Sequence, residues 1–260
     1  MRIIILTQNE NLYLPRSLAA VCRALNSELV CIVASPAMST HGGALQGFIK
    51  HLRLFGLKGT MTMGSHVIRA RFVSIFYHPG PDSSFYSIKQ VANTFSVPYH
   101  KIRKVKNDQL HHLLDKYKPD LLVSMSCPQI IGKRIRDRIP LGCINVHGAP
   151  LPRYRGLMPA FWALRNGETK TAVSVHDLGA RLDDGDIILQ REVKILPEDT
   201  WDSLVCKTKK AGAQALIDAV QQIKEGTVKR KPNPDSEATY FSFPTARDHR
   251  AFLKAGRRFF

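Results

Sequence analysis

Asn145, His147 and Asp183 are the side chains in this 260-residue sequence whose types and setting suit carbonyl chemistry. Asn145 and His147 lie two apart in the stretch LGCINVHGAPLPRYRG, residues 141–156. Residues two apart in a strand point to the same side. Ile144 and Val146 then face the other way, into a core. Gly148, Pro150, Pro152 and Gly156 break regular structure after the histidine, so the pair stands at the carboxyl end of its strand. That is the edge where open α/β sheets bind ligands. An amide there can polarise a carbonyl, and an imidazole can manage a proton. Asp183 lies in the acidic, glycine-flanked loop HDLGARLDDGD, residues 176–186. The residues alone leave two readings open, a reactive centre or a structural strand end with a solvated turn. His176 reads as a half-buried strand histidine.

The elements that must position these groups alternate along the chain. Apolar runs at 2–6, 28–34 and 119–124 read as parallel-sheet strands, joined by Gly142–His147, Thr171–Val175 and Ile187–Val193. Helical patterns fall around Leu18–Cys22, Phe85–Phe95, Ile130–Ile139 and Ala160–Leu164. Asn107 reads as the cap of a helix through Leu114. Asp199 or Thr200 caps a long helix that Gly226 closes. The expected fold is α/β, three layers, Rossmann-like, with a mostly parallel sheet and a short C-terminal appendage. The expected division is a domain over 1–226 and an appendage over 227–260. The appendage opens on the basic connector Lys229–Pro234, and its aromatic density predicts a tail folded back on the domain or on an oligomer partner, so a homodimer contact is one reading.

Residues 39–71 form a basic inserted segment, with Lys50, Arg53, Lys58, Arg69 and Arg71 and no acid between His41 and Arg71. Phe48, Leu52 and Phe55 fall at helical spacing, which predicts a surface helix packing that stripe on the domain. The alternative is a helix that grips a polyanion or lies on a membrane.

Composition narrows the class. No run of 18 apolar residues occurs, so no transmembrane helix is expected, and the N-terminal apolar run is too short for a signal peptide. The five cysteines are scattered without a CxxC pair, which suggests neither a metal site nor a disulfide framework and fits a cytoplasmic location. Adjacent His111 and His112 diverge on a helix and make a poor metal pair; no metal is expected. The net charge of +17 suits an anionic partner, with nucleic acid the less favoured one for want of a motif. GxGxxG is absent after the first strand, which disfavours a dinucleotide. Asn9 and Asn11 in the following turn would suit a substrate phosphate or hydroxyl at a helix N-terminus, or simply make a turn.

INVHGAPLPRYRG and LDDGDI together resemble the hallmark motifs of folate-dependent formyltransferases, roughly NxHxSLLPxYRG and LDxGxI. The order matches, with 38 positions from Asn145 to Asp183. Ala149-Pro150 departs from the family's usual Ser-Leu. The resemblance covers about residues 1–225. It implies transfer of a formyl group from the cosubstrate 10-formyltetrahydrofolate to an amine, with Asn145, His147 and Asp183 as the catalytic residues and His147 acting as an imidazolium beside Asp183. It also implies folate contacts from the loops 125–131 and 177–183, namely Met125, Ser126, Cys127, Gln129, Ile130, Leu178 and Leu182. Arg153, Tyr154 and Arg155 are candidates for holding an anionic acceptor.

The resemblance leaves the acceptor open. Methionyl-tRNA formyltransferases resemble this domain but carry a further C-terminal barrel, for which the 34 residues after Gly226 are few. Glycinamide ribonucleotide formyltransferases lack the basic insertion. Enzymes acting on nucleotide-linked amino sugars fit best, and methionyl-tRNA is the alternative. A catalytically inactive folate-binding module is the alternative of another class.

Overall fold

The computed structural model describes residues 1–37, 44–105 and 108–260. The elements in chain order are β1 Ile3–Asn9, α1 Leu14–Leu25, β2 Leu29–Pro36, α2 Ala44–Phe76, α3 Ile88–Thr94, β3 Tyr99–Lys101, α4 Asp108–Tyr117, β4 Leu121–Met125 and α5 Lys133–Arg136. They continue with β5 Cys143–His147, β6 Arg155–Gly156, α6 Pro159–Arg165, β7 Lys170–Asp177, β8 Ile187–Lys194, α7 Trp201–Glu225, β9 Tyr240–Phe241 and α8 Ala246–Lys254.

Among the described residues, seven strands form one sheet in the order β3-β2-β1-β4-β5-β7-β8. The first five are parallel, and β7 and β8 run antiparallel to their neighbours. β1 explains why the sheet is sandwiched. Its Ile3 and Ile5 enter one apolar cluster and Ile4 and Leu6 another. A strand buried on both faces needs an unbroken apolar run, and each such side chain contributes roughly 2 kcal/mol of transfer free energy. The first cluster packs α1, α3, α6 and α7 on one face, and the second packs α4 and α5 on the other. The expected three-layer, mostly parallel α/β architecture is therefore present. The strand order reverses between β1 and β4, which opens a crevice at their carboxyl ends.

Several boundaries moved. α1 begins at Leu14, because Pro15 fits a first helical turn. The helix expected over Phe85–Phe95 narrows to α3, capped by the Ser87 side chain. β7 runs on to Asp177 and so takes His176 out of the expected loop. Thr200 caps α7 through a reciprocal pair with Ser203, and Gly226 ends it in the left-handed conformation. The cap expected at Asn107 lies outside the described residues.

The basic insertion departs most from expectation. α2 is two helical runs joined at Gly56, whose φ of 66° suits glycine. Of the expected inward stripe only Phe55 is buried, while Phe48 and Leu52 are exposed. Leu54 takes the inward place instead. Phe55 sits among Trp201, Phe259 and Phe260, with ring centroids 5.0, 5.0 and 6.0 Å away. The C-terminal tail thus folds back on the domain, and Phe252 and Phe259 are buried there.

Candidate active site

Asn145 and His147 leave β5 on the face opposite Ile144, which enters the first apolar cluster. The neighbour that completes them is β7. Its antiparallel register places His176 directly across from Asn145, at the spacing where cross-strand side chains touch. Asn145 Nδ2 lies 3.1 Å from His176 Nε2, and His176 Nδ1 lies 2.7 Å from the Asp177 carbonyl oxygen. One assignment satisfies both contacts. His176 Nδ1–H donates to the carbonyl, its Nε2 carries the lone pair, and Asn145 donates one amide hydrogen to it. His176 is fully buried, not half-buried as the sequence suggests.

Asp183 closes the cluster from the loop after β7. Its Oδ2 is 3.5 Å from His147 Nδ1 and its Oδ1 is 3.6 Å from His176 Nε2. It also accepts from the Gly156 N–H at 2.9 Å. The structure therefore brings Asn145, His147 and Asp183 together and adds His176. Asp183 has φ 54°, a left-handed conformation rare outside glycine. Such strain persists where surroundings over-determine it. Here Gly156 holds the side chain, and Asn233 Nδ2 donates to the Asp183 and Gly185 carbonyls, both at 2.9 Å.

The loop geometry explains the YRG triplet. A side chain at Gly156 would place its Cβ 2.2 Å from the Phe241 carbonyl oxygen, so only glycine lets β6 pair with β9. Arg155 is buried, and its guanidinium donates to Asp235 at 2.7 Å and to Asn233 at 2.8 and 2.9 Å. The Tyr154 carbonyl accepts from His147 Nε2–H at 2.8 Å, while its ring stacks on Phe241. Arg153 pairs with Glu168. These three residues, read as acceptor contacts, have their side chains engaged within the protein.

Protonation follows from burial. Burial lowers the His147 pKa from 6.5, and the pull of Asp183 and of the Tyr154 carbonyl does not offset it. His147 is therefore neutral near pH 7, with Nε2–H on Tyr154 and a bare Nδ1 toward Asp183. This corrects the imidazolium expected from sequence. Burial acts to raise Asp183, but the charges that His147 and His176 carry when protonated, the Nε2–H that His176 then turns to the carboxylate, and the Gly156 N–H outweigh it and hold the carboxyl at about 2.

Met125 is buried at the end of β4, and Ser126 follows with φ 59°. Cys127 and Leu178 pack on the apolar cluster that also holds Ile131. Ile130 and Leu182 are exposed. The Gln129 side chain is tied to the Val105 N–H and the Arg103 carbonyl at 2.9 and 3.1 Å. At the β1 turn the Glu10 carboxylate accepts from the N–H groups of Tyr13 and Leu14, so it fills the N-terminus of α1. Asn11 donates to the Tyr86 carbonyl at 2.7 Å, and Asn9 stands exposed at the strand end.

Two site residues escape the sequence reading. His176 is signalled only by the antiparallel pairing of β7 with β5. Lys209, one of four lysines on α7, donates to the Ser126 hydroxyl. Burial lowers its pKa against the opposing pull of Glu10. Among the described residues, no group of His, Cys, Asp or Glu is placed to hold a metal.

The sequence model described as formyl transferase matches residues 82–220, just over half of the chain and all four cluster residues. The chain belongs to the formyl transferase family. It is 38% identical over 153 residues to the methionyl-tRNA formyltransferase of Syntrophus aciditrophicus (strain SB), covering 59% of this chain and 49% of that one. It is 33% identical over 161 residues to the methionyl-tRNA formyltransferase of Acetivibrio thermocellus, covering 62% and 52%. This family member thus spans about half the length of the curated relatives it matches. Its fold is shared with the N-formyltransferase from Helicobacter canadensis crystallised with folinic acid and dTDP-3-aminofucose, at a TM-score of 0.62 and 13% identity over 98% of this chain and 80% of that one. The phosphoribosylglycinamide formyltransferase of Anaplasma phagocytophilum superposes with a TM-score of 0.61 and 18% identity over 94% and 99%.

Proposed function

We propose that this protein transfers a formyl group from 10-formyltetrahydrofolate to a primary amine on a small anionic acceptor, a nucleotide-linked amino sugar. The observation that carries the reaction is the buried cluster of Asn145, His147, His176 and Asp183 at the end of β5. The site fits the formyl donor in its chemistry. Ile130 and Leu182, on the loops after β4 and β7, expose apolar side chains that would suit a flat ring system, and one Asn145 amide hydrogen has no partner among the described contacts. When bound, the donor supplies an electrophilic formyl carbon.

The chain's residues then have separable tasks. His176 takes one Asn145 amide hydrogen and so aims the other at the formyl oxygen, where negative charge grows as the amine attacks. A donor of this kind lowers the barrier by about 3 kcal/mol. Neutral His147 accepts the proton that the amine loses. Ionised Asp183, 3.5 Å from Nδ1, stabilises the resulting imidazolium, which returns the proton to the departing nitrogen as the old C–N bond breaks.

The amino-sugar reading is supported by the fold shared with an enzyme crystallised with dTDP-3-aminofucose. A second reading, methionyl-tRNA, is supported by the relatives that the sequence matches and by the charge of +17. Incubation with 10-formyltetrahydrofolate and TDP- or UDP-amino sugars beside methionyl-tRNA, read by mass, separates them. A product 28 Da heavier on a sugar supports the first reading and on methionyl-tRNA the second. Folate binding with no formylated product would make the protein a binding module.

A further inference from the structure

Beyond Gly56, α2 is apolar on two opposite sides. Toward the domain it presents Gly59, Met63, Val67 and Ala70; Gly59 and Ala70 are buried, and Met63 packs on the main core. Away from the domain it presents Leu57, Met61, Ile68, Phe72 and Ile75, with Phe76 at the edge. At 100° per residue the first five fall within an arc of roughly 60°. All six are between 64% and 70% exposed. An ordinary surface helix turns its large apolar residues inward. Here small residues let the helix sit close, and the large ones face out. Together they expose several hundred Å², a patch on the scale that marks an interaction surface.

The charges around the stripe say what covers it. Lys58 and Arg69 border one side and Arg71 the other, while the sequence holds no carboxylate between Glu28 and Asp82. A second copy docked through the same stripe would bring these cations against each other with no acid in the segment to answer them. A nucleic acid would satisfy the cations but not the aliphatic Leu57, Met61, Ile68 and Ile75, which offer no stacking platform. Acyl chains beneath anionic headgroups satisfy both. Among the described residues no helix is long and apolar enough to cross a membrane, so α2 would lie along the surface. The helix also lies outside the family match of 82–220.

We propose that the outer face of α2 docks this protein on an anionic lipid surface. The test is co-sedimentation of the full chain with phosphatidylcholine vesicles, with and without phosphatidylglycerol. Binding is expected to be at least tenfold tighter to the anionic vesicles and to weaken with salt. The triple variant Ile68→Ser, Phe72→Ser, Ile75→Ser should lose at least tenfold in binding while its melting curve stays in place. Lys58→Glu with Arg69→Glu should abolish the preference for anionic lipid. Absence of vesicle binding, equal binding to both compositions, or full binding by the triple variant would each overturn the proposal. So would a dimer in size-exclusion chromatography that the triple variant dissociates, since the stripe would then be a self-association surface.

Discussion

His176 should act on the reaction only through Asn145. Its Nε2 accepts one Asn145 amide hydrogen at 3.1 Å, and the carboxamide is otherwise free to turn about its last torsion. His176→Phe keeps most of the ring volume in a fully buried position but removes the acceptor. A net hydrogen bond of about 1–1.5 kcal/mol then no longer holds the amide, and kcat should fall about tenfold with little change in KM. Asn145→Ala removes the proposed oxyanion donor itself and should cost about 3 kcal/mol or some 150-fold. The decisive measurement is the double variant. If His176 works through Asn145, adding His176→Phe to Asn145→Ala costs almost nothing further. His176→Gln, whose carbonyl oxygen can accept the same hydrogen, should recover part of the rate. Initial rates under saturating cosubstrate, beside melting curves of all four variants, give the answer. Additive losses would refute the reasoning, as would a His176→Phe loss that tracked a fall in melting temperature.

Asp183→Asn keeps the shape and an acceptor for the Gly156 N–H but removes the charge that stabilises protonated His147. It should slow turnover about a hundredfold or more and move the melting curve little; an equal loss of rate and stability would reduce Asp183 to a loop anchor. The pKa shifts of His147 and Asp183 predict acid sensitivity of one sign. His147 is lowered from 6.5 in the fold, so below pH 6.5 the unfolded chain takes up a proton that the folded one refuses. Stability is then lost as pH falls from 6.5 through the folded value. Asp183, lowered from 3.8 to about 2, adds a second loss as pH falls from 3.8 toward 2. Melting temperature should drop between pH 7 and pH 5, and less steeply in His147→Gln; parallel slopes would count against a depressed His147. Asn233→Ala removes the donor to the Asp183 and Gly185 carbonyls. It should cost about 2 kcal/mol of stability and at least tenfold in kcat at a temperature where the variant is still folded. Unchanged kcat would mean that the loop holds its own shape.

How far the site was legible follows from the range of the interactions that build it. Asn145 and His147 were readable because a strand's two-residue period fixes which side chains share a face. Asp183 was readable only through the paired motifs, since nothing local to LDDGDI says that its carboxylate turns back to Gly156. His176 was readable as a strand histidine but not as a site residue, because residues 176–186 look like one polar loop. β7 holds its ladder to Asp177 through pairing with β5, a partner some thirty residues away whose register no local pattern reveals. The outer stripe of α2 was missed for a related reason. Phe48, Leu52 and Phe55 have the right period, but a helix with two apolar faces offers two inward choices, and sequence periodicity does not say which one the domain takes. The break at Gly56 then rotates the second half onto its small-residue face.

The C-terminal connector belongs to the same chemistry. Lys229–Pro234 reads as a basic link to an appendage, yet Asn233 and Asp235 hold Arg155 while Asn233 holds the Asp183 loop. Arg155 is buried with its charge, a costly placement unless the guanidinium is paired. Removing Asn233 or Asp235 would leave that cation short of partners and free β6 and the residue before it, which present the Gly156 N–H to Asp183 and the Tyr154 carbonyl to His147. The strand, the loop and the connector therefore set one another. The neutral state of His147 depends on all three, because opening any of them would admit the water whose exclusion lowers its pKa.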